Sequence, residues 1–127
     1  MAMPAQDIEP VIAPFFDDVA EGPPGGAAYW VHSADCTRLR LGLWRGHAPE
    51  ARGTILMFTG RTEYIEKYGR LATDFQAAGY DMAAFDWRGQ GLSERPQHRV
   101  DMGHVISFDE YREDVRAFRD ALEHLDA

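Results

Sequence analysis

Two short stretches hold the residue types from which a reactive site is built. The first is Thr59-Gly60-Arg61-Thr62-Glu63, which breaks off the apolar run TILMF (Thr54–Phe58) and leads into a helical pattern. In a parallel α/β sheet, the turn that leaves a buried strand at its carboxyl end is where ligands and backbone donors meet. The turn is therefore a candidate site. Gly60 lets the backbone come close, although a tight strand-to-helix turn uses a glycine in the same place.

The second stretch is DWRGQGLSE, Asp86 to Glu94, with a carboxylate, a guanidinium, two glycines and a serine in sequence. Gly89 and Gly91 form a G-x-G after a strand, the opening of a dinucleotide fingerprint. The third glycine of that fingerprint is replaced by Glu94, whose carboxylate would repel a pyrophosphate. A small flavodoxin-like or nucleotide-binding domain is therefore the weaker alternative, and no organic cofactor is expected. Ser93 lacks the glycines of a G-x-S-x-G elbow, so it reads as a capping or turn residue. His32, His47, His98, His104 and His124 show no metal-ligand spacing, and no metal site is expected. The acidic pairs Asp17 with Asp18 and Glu63 with Glu66 read as solvated or helix N-terminal charges.

These stretches need elements to position them. Residues 1–26 carry five of the seven prolines and end in EGPPGG, which predicts an irregular arm and turn. Its apolar segment Val11–Phe16 is expected to pack on the body. AAYWVHSA and TRLRLGLWR are separated by Asp35-Cys36 and predict an antiparallel hairpin. In the second run Leu39, Leu41 and Leu43 alternate with Arg38, Arg40 and Gly42, the period of a half-exposed strand. TILMF is apolar on both faces, as in a strand covered on both sides. Tyr64, Tyr68, Leu71, Phe75 and Ala78 recur at helical spacing, and Gly79 is placed to close that helix. YDMAAF follows as a second buried strand and completes a βαβ unit. After a long loop, Ser107 and Glu110 have capping-box spacing. Phe108, Tyr111, Val115, Phe118, Leu122 and Leu125 then mark a second amphipathic helix.

A hairpin followed by βαβα, with the strings TGRTEYIEKY, AAGYDMAAFDWRGQGLSER and GHVISFDEY in order, resembles the opening half of an α/β hydrolase. More narrowly, it is similar to the lysophospholipase and monoglyceride lipase branch. The resemblance runs from about Ala27 to the C-terminus. It implies an α/β, three-layer domain over residues 27–127 whose sheet is incomplete. Thr59 stands where that family has a histidine, Gly60 at its glycine, and the Arg61 N–H would supply half of the oxyanion hole. Thr59 and Arg61 would lie against the substrate, a lysophospholipid or monoacylglycerol-type ester. Asp86, Arg88, Gly89, Gly91 and His104 would shape the loop beside the site. Peptidase, haloalkane and epoxide chemistry remain open within the fold.

The serine nucleophile, the acid and the histidine of this fold follow the second helix in chain order. The 127 residues contain no G-x-S-x-G. The expectation is an amino-terminal fragment with no triad, inactive by itself as an esterase. Its TILMF strand would be left as a bare edge open to self-association or to a binding or subunit partner.

Bulk properties narrow the classes further. One domain is expected at 127 residues, and no stretch approaches the apolar length of a membrane span. Thirteen basic against 21 acidic residues give a net charge of −8, which argues against a nucleic-acid surface. Twelve of the thirteen basic residues are arginine, a bias that points to no function. The single cysteine, Cys36, cannot form an internal disulfide, and MAMPAQDIEP lacks the basic start and apolar core of a signal peptide. Cytoplasm is the expected compartment.

Overall fold

The computed structural model describes residues 11–46, 50–60, 63–93 and 108–125. Its elements are β1 (Val11–Ala13), α1 (Asp17–Ala20), β2 (Gly26–His32), β3 (Arg38–Trp44), β4 (Thr54–Phe58), a 3-10 turn (Ile65–Tyr68), α2 (Gly69–Ala77), β5 (Asp81–Asp86) and α3 (Phe108–His124). The five strands lie in the order β1-β2-β3-β5-β4. All neighbours are antiparallel except β4 and β5, which run parallel with Thr54 opposite Asp81 and Phe58 opposite Phe85. The hairpin and the βαβ unit both form as their sequence periods predict.

Side-chain alternation divides the core between the two faces of the sheet. On one face Val31, Leu39, Leu41, Leu43, Ala83 and Phe85 meet Ala117, Phe118, Ala121 and Leu122 of α3. Phe85 stacks on Phe118 with ring centroids 4.3 Å apart. On the other face Ala28, Trp44, Met82 and Ala84 meet Ile65, Ala72 and Ala20. Helix α2 ends as expected. Gly79 takes φ +94°, its N–H donates to Gln76 O, and Tyr80 N–H reaches back to Phe75 O. Those two bonds satisfy carbonyls that a helix C-terminus otherwise leaves bare.

Four expectations are corrected. The arm is not irregular throughout, because Val11–Ala13 pairs with β2 as an edge strand and a helical turn follows it. Strand β3 is buried on both faces rather than half exposed. Its Arg40 is 1% exposed, and at Gly42 a Cβ would come within 2.8 Å of Ile65 Cδ1. The deepest residues of the first helical segment are Ile65, Gly69 and Ala72, while Tyr64 is exposed. Gly69 is needed there because a Cβ would lie 2.1 Å from Ala20 O. Finally, β4 is not covered on both sides. Ile55 and Met57 pack toward α2, but Leu56 and Phe58 on the opposite face are 44% and 45% exposed. Helix α3 covers β2, β3 and β5 and stops short of the β4 edge. The Ser107 capping box lies outside the described residues.

Candidate active-site turn and its supports

The turn after β4 sits at the carboxyl end of the two parallel strands, where the chain leaves the sheet. Thr59 is buried and tied in two ways, to β5 and to Trp87 just beyond it. Its hydroxyl donates to Phe85 O at 2.7 Å, and its carbonyl accepts the indole N–H of Trp87 at 2.8 Å. The Thr59 hydroxyl is thus engaged with β5. Trp87 also stacks on Phe58, with centroids 5.8 Å apart, and meets Tyr111 edge-on at 4.9 Å. An aromatic row therefore runs from the β4 edge to α3 beside the turn.

Gly60 is exposed, and its N–H donates to Glu63 Oε1 at 2.5 Å while Glu63 N–H donates to Gly60 O at 3.2 Å. The two bonds close the turn from Gly60 to Glu63, ahead of the 3-10 element whose N-cap is Tyr64. Glu63 also accepts the Tyr68 hydroxyl and pairs with Lys67 at 2.9 Å. Those contacts, the Tyr68 hydroxyl first, then Lys67 and the Gly60 N–H, lower the Glu63 pKa to about 2. Burial and the bond to Glu63 push the Tyr68 phenol up, and Glu63 holds the Lys67 ammonium above its ordinary value. The Gly60 amide is consequently occupied while Glu63 is ionised. Arg61, whose N–H is the expected donor, lies outside the described residues, as does His104.

Beneath the turn, Asp86 joins four parts of the chain. Its carboxylate accepts Ile65 N–H at 2.8 Å, Leu92 N–H at 3.0 Å and Arg40 Nε–H at 2.8 Å, while its carbonyl accepts the Ser93 hydroxyl at 2.6 Å. Gly91, at φ +50°, is required because a Cβ there would stand 2.3 Å from that carboxylate. Gly89 also has positive φ, +78°. Ser93 is 1% exposed and accepts Arg40 N–H at 2.8 Å, so it serves the loop and is closed to substrate. Arg40 then clasps Glu66 through both terminal nitrogens, at 2.7 and 2.6 Å, and donates to Pro14 O at 2.9 Å. Glu66 accepts Phe16 N–H at 3.1 Å and is 3% exposed, so of its two readings the solvated charge fails, while the helix N-terminal charge agrees with its place in the first turn of the 3-10 element. Burial raises the Asp86 pKa, against the lowering effect of Arg40 and the two backbone donors.

A second guanidinium holds the other side of the loop. Arg88 bonds both oxygens of Asp114 in α3, at 3.0 and 2.7 Å, and reaches Asp35 in the hairpin turn at 2.8 Å. Burial alone would pull Arg88 down, but its bonds to Asp114 and Asp35 outweigh this and hold it above its ordinary value. Burial raises Asp114 against the same arginine. At Asp35 burial raises the pKa but is outweighed by Arg88 and Thr37, leaving it at about 2.

Arg40, Glu66, Asp114 and the Glu63–Tyr68 contact were absent from the sequence reading of the site. One signal was available for Asp114. It stands three residues after Tyr111 and four before Phe118, a carboxylate on an apolar stripe, and such a residue needs a buried partner. Among the described residues no group of His, Cys, Asp and Glu is arranged to hold a metal ion.

The βαβ unit with a glycine turn at the carboxyl end of its first strand, built onto an antiparallel hairpin, is an α/β-hydrolase arrangement, and solved structures share it. A Pyrococcus furiosus esterase superposes with a TM-score of 0.57 at 15% identity, covering 91% of this chain and 42% of the esterase. A haloalkane dehalogenase from Paraglaciecola agarilytica gives 0.54 at 22% identity, covering 94% and 38%. The chain belongs to the Hydrolase_4 family, described as serine aminopeptidase, S33, which it matches over residues 49–126. Among curated relatives, lysophospholipase L2 of Escherichia coli K12 is 39% identical over 64 residues, half of this chain and 19% of that protein. A probable lysophospholipase L2 of Haemophilus influenzae is 41% identical over 66 residues, 20% of its length. Phospholipase YtpA of Bacillus subtilis is 30% identical over 84 residues, 30% of its length. The chain thus spans about a fifth of the lysophospholipases it matches.

Proposed function

We propose that this chain is the turn-bearing part of a carboxylic ester hydrolase that acts on lysophospholipid or monoacylglycerol-type esters. The observation that carries the reading is the glycine turn at the carboxyl end of β4, tied to β5 through the Thr59 hydroxyl, in a sequence similar to lysophospholipases and a phospholipase. In the complete reaction a serine attacks the acyl carbonyl and a histidine takes its proton. The backbone N–H of Arg61 is the donor for the oxygen that gains charge. Asp86, Arg88, Gly89, Gly91 and His104 support the loop beside it. Thr59 acts through the backbone, since its hydroxyl is engaged with β5. The single cysteine fits a cytoplasmic setting.

The 127 residues offer no G-x-S-x-G nucleophile, so the chain alone should neither hydrolyse lysophosphatidylcholine nor react with a fluorophosphonate probe. The DNA immediately downstream of the Ala127 codon tests the larger reading. An in-frame strand pattern with a G-x-S-x-G supports it, and a stop codon followed by nothing hydrolase-like overturns it. A second reading, favoured by the half-exposed Leu56 and Phe58, makes the chain a non-catalytic module that works through the open edge of β4. Among the described residues no helix is long and apolar enough to cross a membrane.

A further inference from the structure

Gly60 is held from both sides. Ahead of it, Thr59 is fixed to β5 by its hydroxyl and to Trp87 by its carbonyl. Behind it, Glu63 accepts the Gly60 N–H through Oε1 at 2.5 Å. Both oxygens of that carboxylate are occupied, since Oε1 also accepts the Tyr68 hydroxyl and Oε2 meets the Lys67 ammonium at 2.9 Å. Donors from the turn and from the 3-10 element thus converge on one side chain. All of them belong to the short segment from Gly60 to Tyr68, so the arrangement is local.

The glycine at position 60 answers to the same side chain. A Cβ there would stand 2.5 Å from Glu63 Oε1, and Gly60 does not use the left-handed φ for which glycine is otherwise favoured. Glycine is needed for the approach of the carboxylate rather than for the backbone of the turn. An ionised carboxylate at this place has a drawback, because it repels a nearby oxygen that gains negative charge. Glu63 is ionised throughout the neutral range, with its pKa lowered to about 2. Its charge therefore calls for a cation, and Lys67, the one lysine of the chain, supplies it.

We propose that Glu63 is a positioning residue of the candidate turn, fixing Gly60 by its amide, and that Lys67 cancels the charge this introduces. The proposal rests on the ester-hydrolase reading above. A backbone amide has one proton to donate, so the Gly60 N–H is not among the donors to the substrate oxygen. That agrees with the assignment of this task to the Arg61 N–H. Tyr68 anchors the carboxylate without adding charge.

In the chain as it stands, hydrogen exchange of the Gly60 amide reads the clasp directly. Protection of about tenfold over the free-peptide rate is expected, lost in Glu63→Ala and partly kept in Glu63→Gln, whose amide oxygen still accepts. Gly60→Ala should fold, because only the end of a flexible side chain must move, yet its amide should exchange freely. A Gly60 amide that exchanges freely in the wild type, or whose protection survives Glu63→Ala, overturns the clasp. In the protein extended through the downstream reading frame, hydrolysis of lysophosphatidylcholine reads the positioning. Glu63→Ala should lower kcat about tenfold with KM unchanged, and Glu63→Gln should recover most of that loss. Lys67→Met should lower kcat about fivefold, but combined with Glu63→Gln it should add no further loss. A change confined to KM, or a Lys67→Met loss that persists beside Glu63→Gln, makes the pair a substrate contact and overturns the proposal. Undiminished kcat in Glu63→Ala overturns the positioning role alone. Absence of hydrolysis in the wild type overturns the ester-hydrolase reading instead, and the exchange result still decides whether the clasp exists.

Discussion

Arg40 and Arg88 lie on opposite sides of the loop that leaves β5, and both are buried guanidinium groups held by carboxylates. Their surroundings differ. Arg40 faces Glu66, Asp86 and the carbonyl of Pro14, and its two carboxylate partners are almost wholly shielded from water. Arg88 has one fully buried carboxylate partner, Asp114, and two that reach solvent, the half-exposed Asp35 and, at 3.5 Å, Glu110. The closed cluster ties the N-terminal segment, β3, the 3-10 turn and the β5 exit into one unit beneath the candidate turn. The open cluster docks the hairpin turn and α3 against the same loop from the side. A buried ion pair adds little net stability over a well-packed apolar group, but breaking one is costly because the remaining charge keeps its desolvation penalty. The closed cluster should therefore be the more sensitive to loss of its cation.

The largest effect is expected from Arg40→Leu, which strands two buried carboxylates. A loss of about 4–5 kcal/mol in urea unfolding follows from removing one partner of a buried pair. A loss below about 1 kcal/mol would show that the closed cluster does not hold the turn. Arg88→Leu strands only Asp114, which keeps Ser33 as a neighbour and is already raised by burial. Its expected cost in the same measurement is about 2–3 kcal/mol. If it equals that of Arg40→Leu, exposure at one end of the cluster makes no difference.

The smallest effect sharpens the comparison through pH. Asp35 is held at about 2, below its ordinary 3.8, so its contribution is present above pH 4 and is lost as the pH falls toward 2. Because Asp35 is half exposed, that contribution is at most about 1 kcal/mol. Asp114 works with the opposite sign. Its raised folded value means that its contribution is full below the ordinary carboxylate range and is lost as pH rises through the folded value. Unfolding curves between pH 2 and 5 should therefore lose part of their acid limb in Asp35→Asn and steepen slightly in Asp114→Asn. Parallel shifts in the two variants would contradict the assignment of opposite signs.

Much of the architecture was legible in advance because it follows local rules. The alternation in β3 and the helical spacing of Tyr68, Leu71 and Phe75 are properties of neighbouring residues. Gly79 could be assigned as the helix stop because few other residues tolerate its φ of +94°. The candidate turn was legible by position, since Thr59-Gly60 follows an apolar run. The Glu63 clasp on Gly60 was not, because sequence spacing set Glu63 in a helical first turn, whereas it precedes the N-cap Tyr64 and bends back to Gly60. Arg40 was misplaced for a related reason. Alternation tells which residues share a face, but whether that face meets water or another layer depends on what folds over it.

What the sequence determined by itself was the order and type of the main elements, the glycine turn after β4 and the family to which the chain belongs. Those depend on spacing along the chain, which short-range sterics and apolar periodicity convert directly into local structure. Only the tertiary structure decided that Arg40, Glu66 and Asp86 share one dry cluster and that Asp114 reaches Arg88 across the loop. It also decided that, among the described residues, β1 and β4 are the outer strands of the sheet. Those pairings join residues that are 20 or more positions apart. A charge can be buried only where the fold brings its counter-charge, and no local pattern encodes that meeting.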